Sequence, residues 1–108
     1  MQTRELERAK APWAWVAARD ARQRSLAAQS HYTQAQQIAA ERMRLVLECV
    51  YANRKTYVTY RQKFISVKVE AALVRDRRAL REMETEWAQL GYEKLVTNQG
   101  VTYHIPRQ

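Results

Sequence analysis

The chain has 108 residues, room for one domain, and carries 19 Lys and Arg against 11 Asp and Glu, a formal charge of +8. Its single cysteine, Cys49, excludes an intramolecular disulfide and a cysteine-based metal cluster and fits a reducing compartment. No apolar run approaches the roughly 18 residues of a membrane span. Residues 1–10 are charged with both signs and lack the apolar stretch of a signal peptide, so a cytoplasmic protein without a membrane partner is expected.

Only Gly91, Gly100, Pro12 and Pro106 punctuate the chain, and Ala, Arg, Gln, Leu and Glu dominate it. Few breakers among strong helix formers predict a mainly α protein. The expected architecture is a single domain over residues 1–108, with three to four helices and a small C-terminal β-hairpin. N-terminal helices would occupy residues 3–53.

Residues 3–29 read as helix. Thr3 suits a cap, and Glu5 and Glu7 suit a first turn, where the dipole favours carboxylates. Pro12 disfavours helix at Ala11, so a short helix or turn at 3–10 should give way to a main helix with Pro12 at its first position. Trp13, Val16, Ala17, Ala21 and Ala28 fall near helical spacing and form its expected core stripe. Thr33 and Gln36 then make a Thr-x-x-Gln capping box, predicting a helix from about residue 34 to residue 52. Ala35, Ile38, Met43, Leu45, Val46, Cys49 and Val50 give that helix a wide apolar face, and Asn53 suits its end.

Residues 54–69 support two readings. Thr56-Tyr57-Val58-Thr59-Tyr60 is β-branched and aromatic, and Phe64-Ile65-Ser66-Val67-Lys68-Val69 alternates, both as strands do. Thr59 and Gln62 form another capping box, which would start a helix at Tyr60. The favoured reading is an extended piece at 55–59, then helix. Beyond it, Val69, Leu73, Asp76, Leu80, Met83, Trp87 and Leu90 step by alternating fours and threes, a heptad seam interrupted by Asp76. Either one helix carries a carboxylate on its seam, or the helix breaks and Asp76 caps a new one. Gly91 ends this segment, and two strand-like runs around Asn98-Gln99-Gly100 read as a hairpin closed by Pro106.

Catalytic chemistry is hard to assemble. Cys49 lies in an apolar helix face, where a thiol is structural. His31 and His104 lack a second His or Cys at ligand spacing, so no metal is expected. No Gly-rich phosphate loop is present, and Glu82, Glu84 and Glu86 read as a solvated helix face. With no reaction class to be built from named roles, a non-enzyme without cofactors is expected.

Binding chemistry is present. Residues 1–30 carry six basic and three acidic side chains, residues 31–64 six and two, residues 65–90 five and five, and residues 91–108 two and one. The excess in the first 64 residues attracts polyanions. Residues 51–64 interleave Arg54, Lys55, Arg61 and Lys63 with Tyr51, Tyr57, Tyr60 and Phe64, so cations for phosphates alternate with faces for bases. The plainer reading puts those aromatics in the core.

In the C-terminal third, Asp76-Arg77-Arg78-Ala79-Leu80, then Met83, Trp87 and Leu90-Gly91-Tyr92, run into a hairpin. Over residues 60–106 this pattern resembles the recognition helix and wing of a winged helix-turn-helix DNA-binding domain. The resemblance implies a supporting helix at residues 64–74. Arg77, Arg78 and Arg81 would meet the major groove, and Lys94, Asn98 and Gln99 on the wing would meet the backbone or minor groove. It departs from that family's pattern in lacking a glycine-type residue in the turn before Asp76, and in carrying Glu82, Glu84 and Glu86 on the recognition helix.

Two functions follow. The first is a DNA- or RNA-binding regulator or accessory protein, its contacts made by Arg75, Arg77, Arg78, Arg81, Arg54, Lys55, Arg61, Lys63 and Lys94. A homodimer could pair its heptad seam across a two-fold axis. The second is a helical adaptor or inhibitor, of the kind phages or plasmids encode, docking on an acidic protein surface of a nucleoprotein assembly through Trp13, Trp15, Arg19 and Tyr32.

Overall fold

The computed structural model describes residues 12–52, 55–70 and 73–107, with the side chains of Pro12 and Trp13 excepted. Its described elements are helices α1 (Pro12–Gln29), α2 (Gln34–Val50) and α3 (Arg77–Trp87), and strands β1 (Tyr51–Ala52), β2 (Thr56–Tyr60), β3 (Phe64–Glu70), β4 (Leu73–Val74), β5 (Glu93–Thr97) and β6 (Gly100–Pro106). The fold is therefore mixed α and β, which corrects the mainly α expectation. Four strands form one antiparallel sheet in the order β2-β3-β6-β5, and β1 pairs with β4 separately.

The correction has a local cause. In β3, Ile65, Val67 and Val69 are fully buried while Phe64, Ser66 and Lys68 between them are partly exposed. That period of two matches a pleated strand with one buried face and cannot present one face on a helix. The capping box expected at Thr59 and Gln62 does not start a helix. Instead residues 61–63 form the loop of a β2–β3 hairpin, with the Arg61 N–H donating to the Phe64 carbonyl at 3.0 Å. The supporting helix expected at 64–74 is thus strand over Phe64–Glu70, and only the helix-then-hairpin part of the winged-helix pattern has a counterpart.

Asp76 breaks the heptad seam. Its extended backbone (φ −133°, ψ 93°) and its carboxylate, which accepts from the Ala79 N–H at 3.0 Å, make it the N-cap of α3. Val69, the first seam residue, lies in β3, while Leu80 and Trp87 are buried and Met83 packs beside them. Most of the seam is thus spent on packing within the molecule, while Leu73 is 75% exposed. Gly91, at φ 68°, supplies the left-handed turn that ends the 3-10 segment Ala88–Leu90.

The capping box at Thr33 forms as expected. The Thr33 hydroxyl accepts from the Gln36 N–H, and the Gln36 side chain accepts from the Thr33 N–H, each at 3.1 Å. Along α2, Gln36, Ala40, Met43, Leu47 and Val50 are buried. Ile38, Leu45 and Cys49, expected on the core face, are exposed. The apolar residues of α2 span more than one face, and the sheet covers only one. Helix α1 departs further: Ala17 and Ala21 are exposed, and Ala28 near its C-terminus is the buried member of the expected stripe.

One face of the sheet holds the core. Val58, Val67, Tyr103 and Lys94 form a cross-strand row on that face, between the row of Tyr60, Ile65 and Ile105 and the row of Thr56, Val69, Val101 and Val96. Helix α2 packs on the β2–β3 half, and α3 meets the β6 side through Trp87, whose ring sits edge-on to Tyr103 with centroids 5.9 Å apart. A polar chain threads this layer. The Tyr51 and Tyr103 hydroxyls are 3.4 Å apart, Tyr103 donates to Glu84 at 3.2 Å, and the Lys94 ammonium lies 3.0 Å from the same carboxylate. Burial, then the Tyr51 hydrogen bond and the nearby Glu84 carboxylate, push the Tyr103 phenol well above its ordinary pKa.

Candidate nucleic-acid interface

The opposite face of the sheet carries neither α2 nor α3. Tyr57, Lys68, Thr102 and Leu95 form one row across it, and Thr59, Ser66, His104 and Glu93 form the next. Phe64 and Pro106 pair at the hairpin end. The Phe64 ring reaches diagonally to stack on His104, with centroids 4.0 Å apart and planes 24° apart. Tyr57 is 42% exposed, and its hydroxyl donates to Glu70 at 2.9 Å. That hydrogen bond, more than any burial, raises the Tyr57 pKa.

Helix α1 borders this face. The Ser25 hydroxyl accepts from the Tyr60 N–H at 3.0 Å, so α1 lies along the free edge of β2. A cleft of about 780 Å³ runs between helix and sheet, lined by Arg22, Ser25, Tyr57, Thr59, Arg61 and Lys68 among others. A second cleft of about 370 Å³ joins Arg24 to Arg61, and a depression of about 230 Å³ joins Lys63 to Phe64 and His104. The Arg107 N–H donates to the Lys63 carbonyl at 3.0 Å, while its charge acts on the buried Tyr32.

This surface gathers cations from several segments of the chain. Ion pairs among the described residues join Arg19 to Asp20, Arg44 to Glu41 and Glu48, Arg78 to Glu82, and Lys94 to Glu84. None of those pairs takes Arg22, Arg24, Arg61, Lys63 or Lys68 here, nor Arg42, Lys55, Arg75, Arg77 or Arg81 elsewhere. Their charge is uncompensated at contact range, so it projects toward an incoming anion. Glu70 and Glu93 are the carboxylates on the sheet face itself, at its two ends, and Glu41 lines the larger cleft.

The residues singled out from the sequence disperse. Arg61 and Lys63 join this face. Arg75, Arg77, Arg78 and Arg81 are exposed on α3 and the turn before it, where Glu82 pairs with Arg78 and Glu84 and Glu86 share the helix. Lys94, expected on a wing, points instead to the core face, where Glu84 and the Tyr103 ring, 5.7 Å away, hold it. Lys55 is exposed at the start of β2, and Arg54 lies outside the described residues. Of the residues given to the protein-docking reading, Tyr32 is buried, 4% exposed, its hydroxyl donating to the Arg61 carbonyl at 2.6 Å. Trp15 is exposed with Arg19 over its ring at 5.5 Å, and the Trp13 side chain is not described.

Sequence reading missed Lys68, His104, Arg22 and Arg24. The alternation in Phe64–Glu70 and Gly100–Pro106 held the signal for the first two, since Lys68 and His104 fall out of phase with the buried residues of their strands. Among the described residues no helix is long and apolar enough to cross a membrane, and no three His, Cys, Asp or Glu side chains gather as metal ligands. No protein-family model matches the chain, and no curated protein or solved structure matches it either.

Proposed function

We propose that this protein acts by binding nucleic acid, without catalysis, and that its contact surface is the α1-bordered outer face of the sheet with the Arg61–Lys63 loop. The observation that supports this most is the gathering there of five cations, Arg22, Arg24, Arg61, Lys63 and Lys68, that line its clefts and stand outside every ion pair among the described residues. Phosphates neutralised by such side chains release condensed counterions, which drives association. Helix α3 is a weaker platform, because its arginines sit among its own glutamates.

The test is fluorescence anisotropy with labelled oligonucleotides from about 50 to 200 mM salt, a range over which several phosphate contacts cost orders of magnitude in affinity. The wild-type chain should bind with a steep salt dependence. Combining Arg61→Glu, Lys63→Glu and Lys68→Glu should weaken binding and flatten the log–log slope by about 2 to 3, at roughly 0.7–0.9 per lost phosphate contact. No binding by the wild-type chain at the low-salt end would retire this reading.

A second reading, a protein-docking adaptor, has one observation in its favour. Helix α1 exposes Trp15 (66%) and Leu26 (62%), large apolar side chains of the kind that anchor interfaces. Loss of function on Trp15→Ala, with the triple charge reversal harmless, would favour it over nucleic-acid binding.

A further inference from the structure

We infer that the nucleic acid bound on the outer sheet face is single-stranded, its bases stacking at two stations, Tyr57 and the Phe64–His104 pair. The inference rests on the nucleic-acid reading above and specifies the class of its ligand.

The argument starts from where the aromatic rings are. A duplex hides its base faces inside the stack and offers phosphates and groove edges, which helices and ribbons enter. A single strand exposes base faces, and a flat surface with aromatic rings takes them up. Here Tyr57, Phe64 and His104 lie together on a sheet face, apart from the exposed Trp15 of α1. Phe64 and His104 are already stacked on each other, so ordering them for a third ring costs little side-chain entropy.

Spacing and polarity agree. Tyr57 lies opposite Lys68, and Lys68 is four residues along β3 from Phe64. At about 3.3 Å per strand residue the stations are roughly 13 Å apart. Ser66, Thr59 and Thr102 lie in the rows between or beside them, and their hydroxyls can donate to or accept from exposed base edges. The cations flank the stations: Arg61 and Lys63 at the hairpin end, Lys68 beside Tyr57, Arg22 across the cleft. A chain laid along the face meets charge and stacking surface in alternation, as a strand of phosphates and bases requires.

The experiment measures anisotropy at fixed salt for a mixed-sequence 12-nucleotide probe in three forms: single-stranded DNA, single-stranded RNA of the same sequence, and the DNA annealed to its complement. A single strand should bind at least tenfold more tightly than the duplex, and the DNA and RNA arms say which sugar is preferred. Tyr57→Leu and Phe64→Leu keep an apolar side chain and remove the ring. Each should weaken single-strand binding about tenfold, the size of one lost stacking contact, leaving the salt slope and the duplex affinity unchanged. Tyr57 is exposed, so its variant keeps the test open if Phe64→Leu misfolds by circular dichroism. Equal or tighter duplex binding, or full single-strand affinity in Tyr57→Leu, overturns the inference while the triple charge reversal still reports on the nucleic-acid reading. Failure of all three probes to bind sinks both.

Discussion

The Tyr103 hydroxyl donates to the Glu84 carboxylate at 3.2 Å across the seam between β6 and α3, and Lys94 reaches that carboxylate from β5 at 3.0 Å. One carboxylate from the helix thus ties together two strands of the C-terminal hairpin. The contact lies in the core layer, so its consequence is stability, and it is sensitive to alkali.

The Tyr103 phenol is held above its ordinary value of 10.0 by burial first, and then by Tyr51 and Glu84. A proton kept by the native state and lost by the unfolded chain makes stability fall as pH rises. Its contribution should therefore be complete below about pH 10, the unfolded tyrosine range, and decline above it. Thermal midpoints measured from pH 8 to 12 should drop in the alkaline limb, and Tyr103→Phe should shallow that drop. An equal alkaline slope in the variant would assign the effect to other tyrosines.

Asp76 caps α3 through the Ala79 N–H. Replacing a capping Asp by Ala typically costs about 0.5–2 kcal/mol. Urea unfolding of Asp76→Ala should show a loss in that range. An unchanged midpoint would mean that packing of Leu80 and Trp87 alone sets the start of the helix.

Leu45 and Leu47 sit two residues apart on α2 with opposite fates. Leu47 is fully buried and Leu45 is 53% exposed. Leu47→Ala should destabilise by about 2–5 kcal/mol, through lost burial and the cavity left behind. Leu45→Ala should stay within about 0.5 kcal/mol. Similar costs for the two would show that α2 is rotated or that its outer face is covered in solution.

Arg77→Glu with Arg78→Glu, a change on α3, separates the two nucleic-acid surfaces. Anisotropy titrations of this variant should stay within about threefold of wild type once the altered net charge is allowed for, a shift of under 1 kcal/mol. A collapse of binding here, with the sheet-face reversal tolerated, would move the interface to α3.

Cys49 is exposed, contrary to the buried thiol expected from its helix pattern. A thiol reagent should therefore label the folded protein at a rate close to that of the urea-unfolded chain. Labelling only after unfolding would place Cys49 under a partner surface or a second copy.

Local signals were legible wherever the chain satisfies its own backbone within a few residues. The Thr33–Gln36 box, the stop at Gly91 and the turn of the C-terminal hairpin each depend on side chains three or fewer positions away, so neighbours in sequence suffice, whereas the break at Asp76 was one of two readings. Residues 59–70 were harder, because a capping pattern at Thr59 and Gln62 competed with alternation through Ile65, Val67 and Val69. The alternation prevailed once β6 lay alongside to take the hydrogen bonds of β3, and β6 is some 35 residues further on.

The sequence alone determined the charge, the single thiol, the Thr33 cap and the C-terminal hairpin, since composition and short-range spacing carry them. Only tertiary structure decided which apolar residues of α1 and α2 are covered, because those helices carry more apolar faces than the sheet can bury. Tertiary structure also gathered Arg22, Arg61, Lys63 and Lys68 from distant segments onto one surface, while Glu84 turned the Lys94 side chain toward the core face. A charge near in sequence to other charges says little about its neighbours in space; sheet pairing between remote strands sets those.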